Sequence, residues 1–160
     1  MHQVDIKILS LLQDYAGMTR AEISRQIGMV PSAVLERIRK LEENGFIQEY
    51  SARLNPELLH LDLLAFIFVR TSESPGSIGV SETLEKIPEV LEIHHVAGED
   101  CYLLKVRLQD NKSLAAFMRK KIGGISEVTS TRTVIVLETI KESSKIKLPD
   151  PVNTKSETKP

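Results

Sequence analysis

Apolar positions recur at helical spacing through the first third of the chain. Val4, Ile8, Leu11, Leu12 and Tyr15 follow an i, i+4, i+7 pattern, and Gly17 predicts where a first helix stops. In MTRAEISRQIG, Thr19 with Glu22 three residues on is a capping-box signature, Ile23 and Ile27 face inward, and Gly28 closes a second helix. GMVPSAVLERIRKLEENGFI predicts a third, with Pro31 in its first turn and Gly45 at its end. Its apolar stripe is Val34, Leu35, Ile38 and Leu41; Ser32, Ala33, Glu36, Arg37 and Lys40 fall on the other side. FIQEYSARL then alternates like a short extended ribbon. Three helices and a ribbon predict a winged helix-turn-helix over residues 1–54.

Residues 55–62 read as a linker punctuated by Pro56, and from Leu63 the period changes. LLAFIFVRT is a strand apolar on both faces, and TSESPGSIG is a loop. Val80, Leu84 and Ile87 predict a short helix stopped by Pro88. VLEIHHVA and YLLKVRL are strands joined by the compact turn GED. Asp110 or Asn111 caps a helix over SLAAFMRKKI that ends at Gly123-Gly124, and EVTSTRTVIVLETI is a last strand. The order βαββαβ over residues 63–142 predicts a split-βαβ, ferredoxin-like sheet with one helical layer, so the fold class is α+β. In the first strand Phe66 and Phe68 lie opposite Ile67 and Val69. The face without helices therefore needs a cover, and a second copy of the sheet is the economical one. Residues 143–160 are rich in Lys, Ser, Thr and Pro and read as a largely disordered tail, the disorder lying mostly past Leu148.

Composition narrows the partners. Of 160 residues, 21 are Lys or Arg and 22 Asp or Glu, a formal charge of −1. No global attraction to nucleic acid or to a membrane surface follows, so any DNA-binding surface is a local patch. Residues 1–54 are themselves balanced, with seven basic and seven acidic side chains. Cys101 is the only cysteine, which excludes an internal disulfide. A signal-peptide core and a bilayer-length apolar run are both missing, and a soluble cytoplasmic protein is the expectation.

In a helix-turn-helix the second helix enters the major groove, and its outward residues must be small or polar to approach base edges. Ser32, Ala33, Glu36, Arg37 and Lys40 meet that description. Arg37 and Lys40 suit a guanine edge or a phosphate, Glu36 a cytosine amino group, and Arg25 and Arg53 suit phosphates. The plainer alternative is a solvated helix face, with Arg39 paired to Glu43.

VDIKILSLLQDYAGMTRAEISRQIGMVPSAVLERIRKLEENGFIQEYSARLNP resembles the DNA-binding domain of the Lrp/AsnC (feast/famine) family of bacterial and archaeal regulators. PSAVLERIRKLEENGFI is the most specific part, and VAGEDCYLLKVRL and STRTVIVLETIK resemble the family's sensing domain. The resemblance implies a nucleoid-associated transcription regulator that binds double-stranded DNA. It implies homodimers, often assembled into octamers through the βαββαβ domains, with a small effector, commonly an amino acid, bound between them. Three positions depart from the pattern. Met1 and His2 replace the usual Leu-Asp, Val30 replaces a capping Ser, and Cys101 falls where the sensor turn usually has Asp.

An amino-acid effector needs N–H donors for its carboxylate and an acceptor for its ammonium. Gly98, Glu99, Asp100, Cys101 and Tyr102 form the candidate site, with hydroxyls from Thr131 and Thr133; an ordinary hairpin turn is the alternative. No cofactor is expected, and no metal, since His94 and His95 point to opposite faces of a strand and ligands are too few. Two other functions are weighed. One is an effector-independent or architectural DNA-binding protein. The other is an enzyme, since some tetrapyrrole-modifying decarboxylases share a similar two-domain architecture; His94, His95 and Arg107 lie in the corresponding half.

Overall fold

The computed structural model describes residues 2–74 and 76–150. The described residues divide into two compact units, one of residues up to Arg53 together with the segment that starts at Glu142, and one of Leu54–Lys141.

The first unit holds α1 (Gln3–Asp14), α2 (Arg20–Ile27) and α3 (Pro31–Glu43). Ile8, Leu9, Ile23, Val34, Ile38 and Leu41 are its buried core, and Val4, Leu11, Leu12, Met18, Ile27 and Met29 pack around them. Two predicted core positions lie outside it. Tyr15 is 63% exposed beyond the end of α1, and Leu35 is 41% exposed on α3. The cap of α2 forms as its spacing predicts. The Glu22 amide donates to Thr19 Oγ1 (3.2 Å) and the Thr19 amide to Glu22 Oε2 (2.7 Å). The expected ribbon is absent: no strand forms over residues 47–53. An isolated two-stranded ribbon is marginal in water, and alternation by itself supplies no partner.

Residues 143–148, placed in the tail by their composition, run back along α1. Gln13 pairs with the backbone of Ile146 in both directions, donating from Nε2 to its carbonyl (3.3 Å) and accepting from its amide at Oε1 (2.8 Å). Lys145 Nζ lies 2.9 Å from Asp14 Oδ1, and Leu148 packs against the helical core. Polar composition hid one apolar anchor and one amide pair. The remainder of the tail, residues 151–160, lies outside the described residues.

The second unit contains β1 (Leu63–Thr71), α4 (Gly79–Glu85), β2 (Val90–His95), β3 (Tyr102–Leu108), α5 (Asn111–Phe117), which runs on as a π-turn Met118–Ile122, and β4 (Val128–Ile135). The strands form one antiparallel sheet in the order β2-β3-β1-β4. That is the predicted βαββαβ order. Ala65, Ile67 and Val69 of β1 face the helices and are fully buried with Leu104, Val106, Val80, Leu84 and Phe117. Phe66 and Phe68 face the other side and are half-buried. Asp110 caps α5 by accepting from the Ser113 amide (2.7 Å), a bond that holds its carboxyl below the usual carboxylate range.

Candidate functional site

Each unit carries one candidate site. The first is α3 with the turn that leads into it. Gly28 closes α2 in the left-handed region (φ 77°), where a side chain would be strained. Its amide and that of Met29 both return to the Ser24 carbonyl (2.9 and 3.2 Å). Ser24, buried within α2, donates its hydroxyl to the Met29 carbonyl. The turn between α2 and α3 is therefore tied at both ends, and α3 starts at Pro31 in a fixed direction. No signal in the sequence marked Ser24 beyond its position beside inward-facing Ile23 and Ile27.

Successive residues advance about 100° around a helix. With Val34, Ile38 and Leu41 buried, the outward face of α3 holds Ser32, Glu36, Arg39, Lys40 and Glu43. Ala33 and Arg37 lie on a half-buried flank. They border a shallow groove of about 580 Å³ against His2 and Asp5 at the start of α1. Arg37 Nη1 donates to Asp5 Oδ1 at 2.7 Å, with the Asp5 side chain only 14% exposed. The other two cations pair along the outward face, Arg39 with Glu43 (2.7 Å) and Lys40 with Glu36 (3.4 Å). Arg25 Nε donates to the Ala21 carbonyl (3.4 Å), and Arg53 donates to the Glu142 carbonyl (2.5 Å) while pairing with its carboxylate (3.3 Å). Tyr50 donates to Glu42 Oε1 (2.9 Å); partial burial, then that bond, push its phenol up to about 12.

The second is the β2–β3 turn. The Val96 amide donates to the Cys101 carbonyl (3.0 Å) and the Cys101 amide to Val69 (2.9 Å). Gly98 takes φ 136°, which favours glycine. The two acids already have partners: Glu99 pairs with Arg70 at 2.8 Å and Asp100 with Arg132 at 3.5 Å. Arg132 also stacks over the Phe68 ring, 3.8 Å from its centroid. Both acids thus turn toward the open face of the sheet. Thr131 and Thr133 do not join them. They stand opposite Val69 and Ile67 in the β1–β4 register, on the helix-covered side. Tyr102 is not at the site either: it is 5% exposed in the core, its ring 5.4 Å from that of His95. Cys101 is half-buried, with Sγ 3.5 Å from Thr71 Oγ1. Register decides all of this, and only β pairing sets register. Arg70 and Arg132 are the residues that sequence reasoning missed.

On the open face the carboxylate of Glu92 lies between Lys105 (2.9 Å) and His94 (3.1 Å), and these two, Lys105 first, hold its pKa down. His95 points to the opposite side, and Arg107 donates to the Leu61 carbonyl (3.3 Å). The three side chains weighed for tetrapyrrole chemistry therefore do not share a face. Among the described residues, no group of three His, Cys, Asp or Glu is placed to hold a metal ion. Nor is any described helix long and apolar enough to cross a membrane.

A helix-turn-helix joined to a ferredoxin-like domain is the architecture of a two-domain transcription regulator. Comparison with known proteins agrees. A winged helix-turn-helix DNA-binding model matches residues 1–48, and an Lrp/AsnC ligand binding domain model matches residues 64–146. The leucine-responsive regulatory proteins of Klebsiella pneumoniae and Escherichia coli K12 are each 32% identical over 148 residues, 91% of this chain and 90% of theirs. A Neisseria meningitidis transcriptional regulator, solved as its L-Met complex, superposes with TM-score 0.86 and 30% identity over 92% of this chain and 96% of that one. E. coli AsnC superposes with TM-score 0.83 and 26% identity over 91% and 97%. The chain belongs to the Lrp/AsnC family of transcription regulators, with a DNA-binding helix-turn-helix and a ligand-binding domain.

Proposed function

We propose that this regulator binds double-stranded DNA through α3 and changes its grip when a small effector, an amino acid, occupies its second domain. The observation that supports this best is the L-Met complex of a relative that matches both domains together. Ser32, Glu36 and Lys40 meet base edges or phosphates, Ala33 lets the helix approach closely, and Arg25 and Arg53 meet phosphates. Lys40, Arg25 and Arg53 are themselves exposed and exchange their present partners for phosphate oxygens.

The effector sits at the turn of Gly98, Glu99, Asp100 and Cys101. Its carboxylate competes for Arg70 or Arg132, and its ammonium takes the acid so released. Self-association rests on the open face of the sheet. Phe66, Phe68 and Leu103 are half-buried there and Val134 is 44% exposed, so a second copy removes apolar area from water. Dimers built this way assemble further, up to octamers, in the nucleoid-associated cytoplasm.

A specific observation favours a second reading, the effector-independent regulator. Glu99 and Asp100 are already neutralised by Arg70 and Arg132. A thermal melt of the purified protein against each common amino acid separates the two. A ligand at about 100 times its Kd stabilises by roughly 2.7 kcal/mol, which raises Tm by a few degrees. A shift with one or a few amino acids supports the sensor. No shift with any supports the effector-independent protein.

A further inference from the structure

The three cations of α3 are not equivalent. Arg37 is turned from the outward face onto a different helix, where Asp5 holds it. What the N-terminal turns of α3 offer to water instead is largely apolar. Val30 is 63% exposed at the N-cap, where no side-chain hydroxyl caps the helix, and Leu35 is 41% exposed five residues on. Pro31 between them is exposed as well, and Ser32 is the one polar side chain before Glu36. In a helix-turn-helix these are the positions that approach base edges. Apart from Ser32, the side chains of this uncharged tip offer a guanine edge or a phosphate no donor. What it matches in the major groove is the C5-methyl group of thymine.

We infer that Val30 and Leu35 are specificity-determining residues that seat against thymine methyl groups, and that Arg37 positions α3 without reading a base. Arg39, outward and paired with Glu43 one turn along the same face, takes the base- or phosphate-facing cationic role beside them. The assignment rests on the DNA-binding reading above.

Thymine methyls can be deleted singly, which makes the test direct. Duplexes are first selected from a random pool by the full-length protein. Each thymine of the selected site is then replaced by deoxyuridine, and affinity is read by fluorescence anisotropy at fixed salt. Loss of one buried methyl corresponds to about fourfold in Kd. One or two uracil positions should therefore weaken the wild type about fourfold each. Leu35→Ala should bind the thymine duplex more weakly and no longer respond to uracil at one position, while Leu35→Met keeps the response. Leu35 is outside the core, and a circular-dichroism melt confirms that the variants fold. A selected site at which no uracil matters, or equal uracil penalties in wild type, Leu35→Ala and Val30→Ala, overturns the inference alone. Failure to bind or enrich any duplex removes the DNA-reading role of α3, and the inference with it.

Discussion

Arg37 on α3 and Asp5 on α1 form an ion pair of 2.7 Å, and the backbone amide of His2 donates to the same carboxylate (3.3 Å). Asp5 therefore both completes the first turn of α1 and holds the flank of α3. With the side chains 32% and 14% exposed, the pair is partly shielded. A double-mutant cycle of Asp5→Ala and Arg37→Ala, measured by urea unfolding of the full chain, should give a coupling of about 1 kcal/mol. Strictly additive effects would show that the pair does not hold α3.

The α2–α3 turn should be intolerant. Gly28→Ala places a Cβ at φ 77° and should cost about 1–2 kcal/mol although no atom lies near enough to clash. Ser24→Ala leaves the Met29 carbonyl without its hydroxyl partner and should cost about 1–3 kcal/mol. Denaturant midpoints check both, and unchanged midpoints would mean that the turn is held elsewhere.

Acid should loosen the start of α2. The hydrogen bonds of Thr19 hold the Glu22 carboxyl below the usual carboxylate range in the folded chain. A lowered folded pKa means that its contribution is complete above the unfolded value and is lost as pH falls through the folded one. Amide protection factors in α2, taken relative to the intrinsic exchange rate at each pH, should fall across that acid window in the wild type. In Glu22→Gln, which has no carboxyl to protonate, they should be lower at neutral pH and change less with acid. Parallel profiles would refute the cap's role.

The segment that returns along α1 should matter to the helical unit. Ending the chain after residue 141 removes the Gln13–Ile146 amide pair, the Asp14–Lys145 ion pair and the packing of Leu148. Hydrogen exchange in α1 should rise over Gln3–Asp14 in the truncated protein and, to a lesser degree, in Leu148→Ala. Unchanged protection of α1 would show that the segment merely lies on the surface.

What could be read from the chain follows from the range of the interactions. Thr19–Glu22, Pro31, Gly28 and Asp110 act within a turn or two, so spacing revealed the helices and their caps. The order βαββαβ followed from period-2 runs separated by turn residues. The sites were harder. Tyr102 and Thr131 carry suitable groups, but antiparallel pairing with Val69 sends both to the helix-covered side. Arg37 satisfies the helical wheel for a groove-facing cation, yet a partner 32 residues away turns it aside. Leu35 matched the apolar stripe and lies outside it, because a stripe of Val34, Ile38 and Leu41 already fills the contact with α1 and α2. The returning tail segment was concealed by its Lys- and Ser-rich composition.

A sensor of this kind must change its grip on DNA when an amino acid binds. The direct measurement is a binding isotherm of the full-length protein on a selected duplex, by anisotropy, with and without each common amino acid at millimolar concentration. One or a few amino acids should change Kd about 5- to 150-fold, the usual range for coupling between sites, and Glu99→Gln or Asp100→Asn should weaken that response while leaving effector-free binding in place. Superimposable isotherms with every amino acid would contradict it and leave an effector-independent regulator.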